Sequence, residues 1–157
     1  MEYCASIWDP YTKVGKNAVE KIQRKAARFV TGNYKREASV SDMLRKLQWQ
    51  CLENRRAVSR LTFLCKATNN LVAFQDDKLP ESSSRSTRGS VPGSSFISII
   101  AKENCYKYSL IPRTIPEWNL LPLSIQQAKT IDGFKSALSS IDITDLIDRA
   151  HLNTGEI

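Results

Sequence analysis

The sequence predicts a mainly α fold: a small helical lobe of three to four amphipathic helices, then a serine-rich loop, one or two short strands, a proline-rich segment and a C-terminal helix. Three observations predict it. Apolar residues recur at helical spacing over 16–31, 51–72 and 130–141. Strand-like signals are confined to two short stretches, 96–100 and 106–110. The composition, 41% hydrophobic and 25% charged in 157 residues, is that of one ordinary domain able to fold without disulfides or metal.

The first helix spans 16–31. Val19, Ile22, Ala26, Phe29 and Val30 fall on one side of its wheel. Lys21, Arg24, Lys25 and Arg28 follow the i, i+3, i+4, i+7 pattern, centred well round towards the other side, and Gly32 stands where a left-handed C-cap belongs. A short second helix over 42–48 has Ser41 as its cap and Met43, Leu44 and Leu47 as its buried side. The longest helix runs over 51–72. Ala57, Leu61, Leu64, Cys65, Thr68 and Val72 share its apolar face; Arg56 and Arg60 lie off that face on one side, Arg55 and Lys66 on the other.

The stretch 75–95 holds seven Ser, two Pro and two Gly and reads as a flexible linker. Phe96, Ile97, Ile99 and Ile100 suit a short strand, and Tyr106, Tyr108 and Leu110 alternate as a second would. Pro112, Pro116 and Pro122 argue against regular structure beyond that point. A last helix starts at Thr130, its cap, with Ile131, Phe134, Leu138 and Ile141 as its stripe and the acids at 132, 142, 145 and 148 on its solvated face. This divides the chain into a basic helical region (1–74), the linker (75–95), a mixed region (96–148) and a frayed tail (149–157).

Charge is unevenly placed. Residues 1–12 carry −2, residues 13–60 carry +9 with 13 basic side chains, and residues 61–157 are neutral. A basic block of this kind serves either polyanion contact or solubility. Four cysteines at 4, 51, 65 and 105 lack metal-ligand spacing, and with the single histidine, His151, they give no zinc site or disulfide scaffold. Cys65 reads as a buried, inert thiol. No apolar run suits a membrane span or a signal peptide, so the expectation is a soluble, intracellular chain, nucleus or cytoplasm left open, with no membrane partner.

Catalytic chemistry finds no constellation. Phe74-Gln75-Asp76-Asp77 matches the aromatic-x-Asp-Asp metal turn of reverse transcriptases, where paired carboxylates hold two Mg²⁺ ions. That chemistry needs a hairpin between two strands, yet here a helix precedes the pair and Lys-Leu-Pro-Glu-Ser-Ser-Ser follows it, so the match is a decoy. Asp9, Glu20, Glu37, Asp42 and Glu53 sit among excess cations and suggest ion pairing. The expectation is no enzyme activity, no catalytic or metal site, no cofactor and no small-molecule substrate. The segment 106–122, YKYSLIPRTIPEWNLLP, has two readings. Tyr106, Tyr108 and Trp118 beside Lys107 and Arg113 are able to stack on unpaired bases, or the aromatics close a small core.

Five runs carry a resemblance: MEYCASIWDPYT at 1–12, KIQRKAARFVTGNY at 21–34, SVSDMLRKLQW at 39–49, LENRRAVSRLTFLCK at 52–66 and YKYSLIPRTIPEWNLLP at 106–122, with FKSAL at 134–138 as a closing stretch. In that order and spacing the chain resembles the C-terminal region, thumb and downstream, of reverse transcriptases from non-LTR (LINE-type, jockey-like) retrotransposons. The resemblance implies an RNA-directed DNA polymerase fragment lacking the fingers, the palm and its catalytic aspartates. It implies contact with an RNA template or an RNA–DNA duplex through Lys21, Arg24, Lys25, Arg28, Arg55, Arg56, Arg60 and Arg113. The alternative is a transposon remnant with no binding of its own. Cut from its upstream partners, such a fragment is expected to expose Tyr3, Ile7 and Trp8.

Overall fold

The computed structural model describes residues 4–73, 80–83 and 95–153. These are mainly helical, as expected. In chain order the described residues form α1 (Ala5–Trp8), α2 (Lys13–Thr31), α3 (Val40–Lys46), α4 (Leu52–Thr68), α5 (Asn104–Lys107), α6 (Leu110–Asn119), α7 (Leu123–Gln126), α8 (Ile131–Leu138) and α9 (Ile143–Asn153). Strand structure among them is one isolated antiparallel bridge, Ser82 to Phe96.

Local chemistry sets most boundaries. Thr12 caps α2 by accepting from Gly15 N, and Gly32, at φ 61°, ends it in the left-handed conformation that a Cβ would strain. α3 starts two residues before the expected 42, because Ser39 rather than Ser41 accepts from Asp42 N. Thr130 caps α8 through Gly133 N as predicted. The predicted last helix is in fact two. α8 stops at Leu138, and Asp142 starts α9 by accepting from Thr144 N and Asp145 N at 2.9 and 3.4 Å. Residues 149–153, expected to fray, complete α9, whose Leu146, Ile147 and Ala150 are buried.

The second strand and the irregular proline segment are also corrected. Tyr106 belongs to α5, and 110–119 is helical across two prolines. Pro112 is the third residue of α6, where its missing N–H would have no intrahelical acceptor anyway. Pro116 does forfeit a bond, but Ile111, Ile115 and Trp118 repeat at helical spacing and bury one face, which outweighs a single lost bond. The stretch 96–100 is an extended strap, with Ile97 and Ile100 exposed. The Asn119 side chain takes the backbone of Phe96 in both directions, N–H to Oδ1 and Nδ2 to carbonyl, each at 2.9 Å.

α4 is central, packing against α1, α2, α6, α8 and α9. Its predicted face is the core: Ala57, Leu61, Leu64 and Cys65 are buried with Trp118, Leu121, Ile125, Phe134, Leu138, Ile143, Leu146 and Ile147. The Trp118 ring lies 5.7 Å from Phe134 and 5.8 Å from Phe96. Residues from both predicted regions, 1–74 and 96–148, therefore build one core. No helix among the described residues is long and apolar enough to cross a membrane.

Candidate nucleic-acid interface

α2 carries the basic stripe, but it does not bury the face that its apolar residues define. It meets α3 and α4 through Gln23 and Ala27. Gln23 is 1% exposed; it donates to Gln50 O at 2.9 Å and accepts from Arg55 Nη2 at 2.5 Å. Lys16 pairs with Glu53 at 2.5 Å on the same side. Ile22, Phe29 and Val30 are exposed as a result, with Val14 beside them. Polar clasps, not apolar area, dock this helix.

The eight candidate cations divide sharply. Lys21, Arg24 and Lys25 are exposed along α2. Arg28 is half-buried and folds back on the loop after Gly32, donating to Lys35 O at 2.9 Å and Ala38 O at 3.5 Å. Arg55 ties α4 to Gln23. The remaining three lie inside the molecule: Arg56, Arg60 and Arg113 are 2%, 1% and 8% exposed. Asp9, at the end of α1, receives all three, at 3.1 Å from Arg56, 3.1 Å from Arg113 and in a closer contact from Arg60. Arg60 also pairs with buried Glu117 of α6 at 2.5 Å. These three arginines are thus corrected from nucleic-acid contacts to interior ion pairs. A buried guanidinium stays charged and must find carboxylates, and α1 and α6 bring them.

The stacking candidates divide too. Trp118 is buried in the core, which settles it as a packing residue. Tyr108 lies flat on Tyr11, with centroids 4.1 Å apart and planes at 1°, and Lys107 sits 5.3 Å over its ring. Tyr106 is half exposed. Sequence reasoning missed Phe29 and Tyr34, 76% and 65% exposed, as the aromatics next to the basic stripe, and Lys35 and Arg36 as its extension. The cue was available: a basic pair three residues past a helix-ending Gly, with Arg28 one turn before that Gly to hold it.

Ion pairing of the acids is seen for Asp9, Asp42 with Arg45 at 2.5 Å, and Glu53, while Glu20 accepts from Leu52 N at 3.2 Å. Cys65 is 1% exposed, and burial pushes its thiol pKa up, slightly offset by the Asn69 amide. Ile7 is 78% exposed; Trp8 is 45% exposed with the Arg56 guanidinium 4.3 Å over its ring. Tyr3 and the Phe74–Asp77 motif lie outside the described residues. Among the described residues no group of three or more His, Cys, Asp or Glu is placed to hold a metal ion.

Comparison with protein-family models, with curated proteins and with solved structures finds no match for this chain.

Proposed function

We propose that this chain is a piece of a non-LTR retrotransposon polymerase from beyond its catalytic palm, and that it grips an RNA template or an RNA–DNA duplex through phosphates. The observation that carries the reading is the exposed set Lys21, Arg24 and Lys25 on one side of α2, continued by Lys35 and Arg36. Lys21 and Lys25 are i, i+4 neighbours, as are Arg24 and Arg28, and like charges at that spacing cost helices roughly 0.2–0.5 kcal/mol per pair. Solubility alone is served as well by cations placed apart. Exposed Phe29 and Tyr34 beside them add apolar surface on which unpaired bases can rest.

Binding of this kind reads backbone rather than sequence. Three neutralised phosphates give a slope of about −2.1 in log affinity per log salt on a single strand and about −2.7 on a duplex of B-DNA type. From 50 to 200 mM salt the single-strand affinity then falls about twentyfold. A fluorescence-anisotropy titration with single-stranded RNA and with an RNA–DNA duplex at both salts tests this. Lys21→Glu, Arg24→Glu and Lys25→Glu together should abolish binding and leave the helical circular-dichroism spectrum unchanged. Binding that survives this triple charge reversal would remove α2 as the interface.

A second reading, a remnant whose cations only solvate a helical lobe, is favoured by one observation. Arg28, Arg55, Arg56, Arg60 and Arg113 are engaged within the chain. No binding by folded protein at low salt would leave that reading standing.

A further inference from the structure

The strap 98–101, helix α6 and the end of α9 line a half-open cavity of about 350 Å³. Its walls are mixed. Ile99, Pro112, Pro116 and Ala150 make an apolar body, while Lys107, Tyr108, Arg113, Glu117 and His151 contribute polar groups. The volume lies at the small end of the range for organic ligands, roughly 300–1,000 Å³.

Arg113 is the reason this cavity calls for a ligand. The side chain is 5% exposed. Its bonds all run from Nη1, to Asp9 O at 3.3 Å and Asp9 Oδ2 at 3.1 Å, and its Nε is buried without an acceptor. Asp9 is shared with Arg56 and Arg60, so its carboxylate does not answer Arg113 alone. Burial, and then the neighbouring Arg60 charge, lower the Arg113 pKa, although a guanidinium does not lose its proton at ordinary pH. Glu117 offsets it only in part, because its Oε1 is already paired with Arg60. Its Oε2 is buried without a donor. Lys107, on the same wall, adds a second positive charge.

We propose that this cavity binds a small organic oxyanion, a carboxylate or phosphate ester on an apolar body, with the anion towards Arg113 and Lys107 and the body against Ile99, Pro112, Pro116 and Ala150. The site is separate from the α2 stripe and stands whether or not the chain grips nucleic acid.

The test uses the full chain and three probes with one ring and different head groups: benzoate, phenyl phosphate and benzyl alcohol. Thermal unfolding and isothermal titration should show binding of at least one of the two anions, and which one binds names the head group. The anion should bind at least tenfold more tightly than benzyl alcohol. Lys107→Gln should weaken it severalfold. Ile99→Trp, which fills the cavity from the strap without touching the ion pairs, should abolish it while leaving the melting temperature near that of the parent chain. Benzyl alcohol binding as tightly as the anions overturns the proposal. So does the absence of any shift at millimolar probe, or anion binding that Ile99→Trp leaves intact.

Discussion

Replacing Asp9 by Asn removes one negative charge from the interior and almost no volume. The carboxylate is 7% exposed and receives Arg56, Arg60 and Arg113, themselves 2%, 1% and 5% exposed at the side chain. The amide retains one acceptor oxygen, so some hydrogen bonding survives, but the negative charge shared by Arg56, Arg60 and Arg113 is lost, while Glu117 stays paired with Arg60. Breaking a buried ion pair by removing one partner costs about 3–5 kcal/mol, chiefly as the penalty of the charge left behind. For a domain of this size each kcal/mol lowers the melting temperature by roughly 2–4 °C, so a fall of about 6–20 °C is expected. Urea melts followed by circular dichroism give the free energy directly, with Asp42→Asn as control, since its Arg45 pair is exposed and worth under about 1 kcal/mol. Adding Arg113→Met to Asp9→Asn restores part of the charge balance and should recover some of the loss. If Asp9→Asn melts within about 1 kcal/mol of the parent, the cluster is hydrated and the argument from buried charge fails.

Four further outcomes follow from the same structure. Phe134→Ala, at a fully buried ring packed on Trp118, should cost about 3–5 kcal/mol in a urea melt. Gly32→Ala should cost about 1 kcal/mol although nothing lies within 4 Å of the new Cβ, because the backbone there has φ +61°; an unchanged midpoint would mean that α2 ends differently. With a thiol reagent near neutral pH, Cys4 and Cys105 should react first, Cys51 more slowly because partial burial and then Glu20 and Glu53 raise its pKa, and Cys65 only on unfolding. The raised Cys65 pKa also has a sign: the folded state keeps a proton that the unfolded chain releases, so stability should fall as pH rises past about 8.5, and Cys65→Ala should flatten that slope.

What was legible in the sequence was local. Gly32 as a C-cap, Thr130 as an N-cap and the Ala57-Leu61-Leu64-Cys65 face need only a few neighbouring residues to be seen, and each stands where expected. The candidate site was less legible because its errors are long-range. That Arg56 and Arg60 turn inwards depends on Asp9, 47 and 51 residues away, and on Glu117, 57 residues away. No periodicity in α4 records those partners. α2 misleads differently: its apolar stripe is real, yet Gln23, Lys16 and Glu20 clasp α4 and turn that stripe outwards. In α6 two periods competed. The 2-residue alternation of Tyr106, Tyr108 and Leu110 gives way to α5 and α6, where the 3.6-residue pattern of Ile111, Ile115 and Trp118 prevails once core burial is counted.

The Asp9 cluster also orders events in time. Asp9 and Arg113 are 104 residues apart, so at about 5–20 residues per second a ribosome delivers the arginine roughly 5–20 s after the carboxylate. During that interval Arg56 and Arg60 can reach Asp9, while Glu117, the other carboxylate of Arg60, has not been made. Until α6 emerges, Arg60 lacks its second carboxylate. Refolding of the finished chain escapes that delay, and the difference between the two histories is carried by one aspartate near the start of the chain.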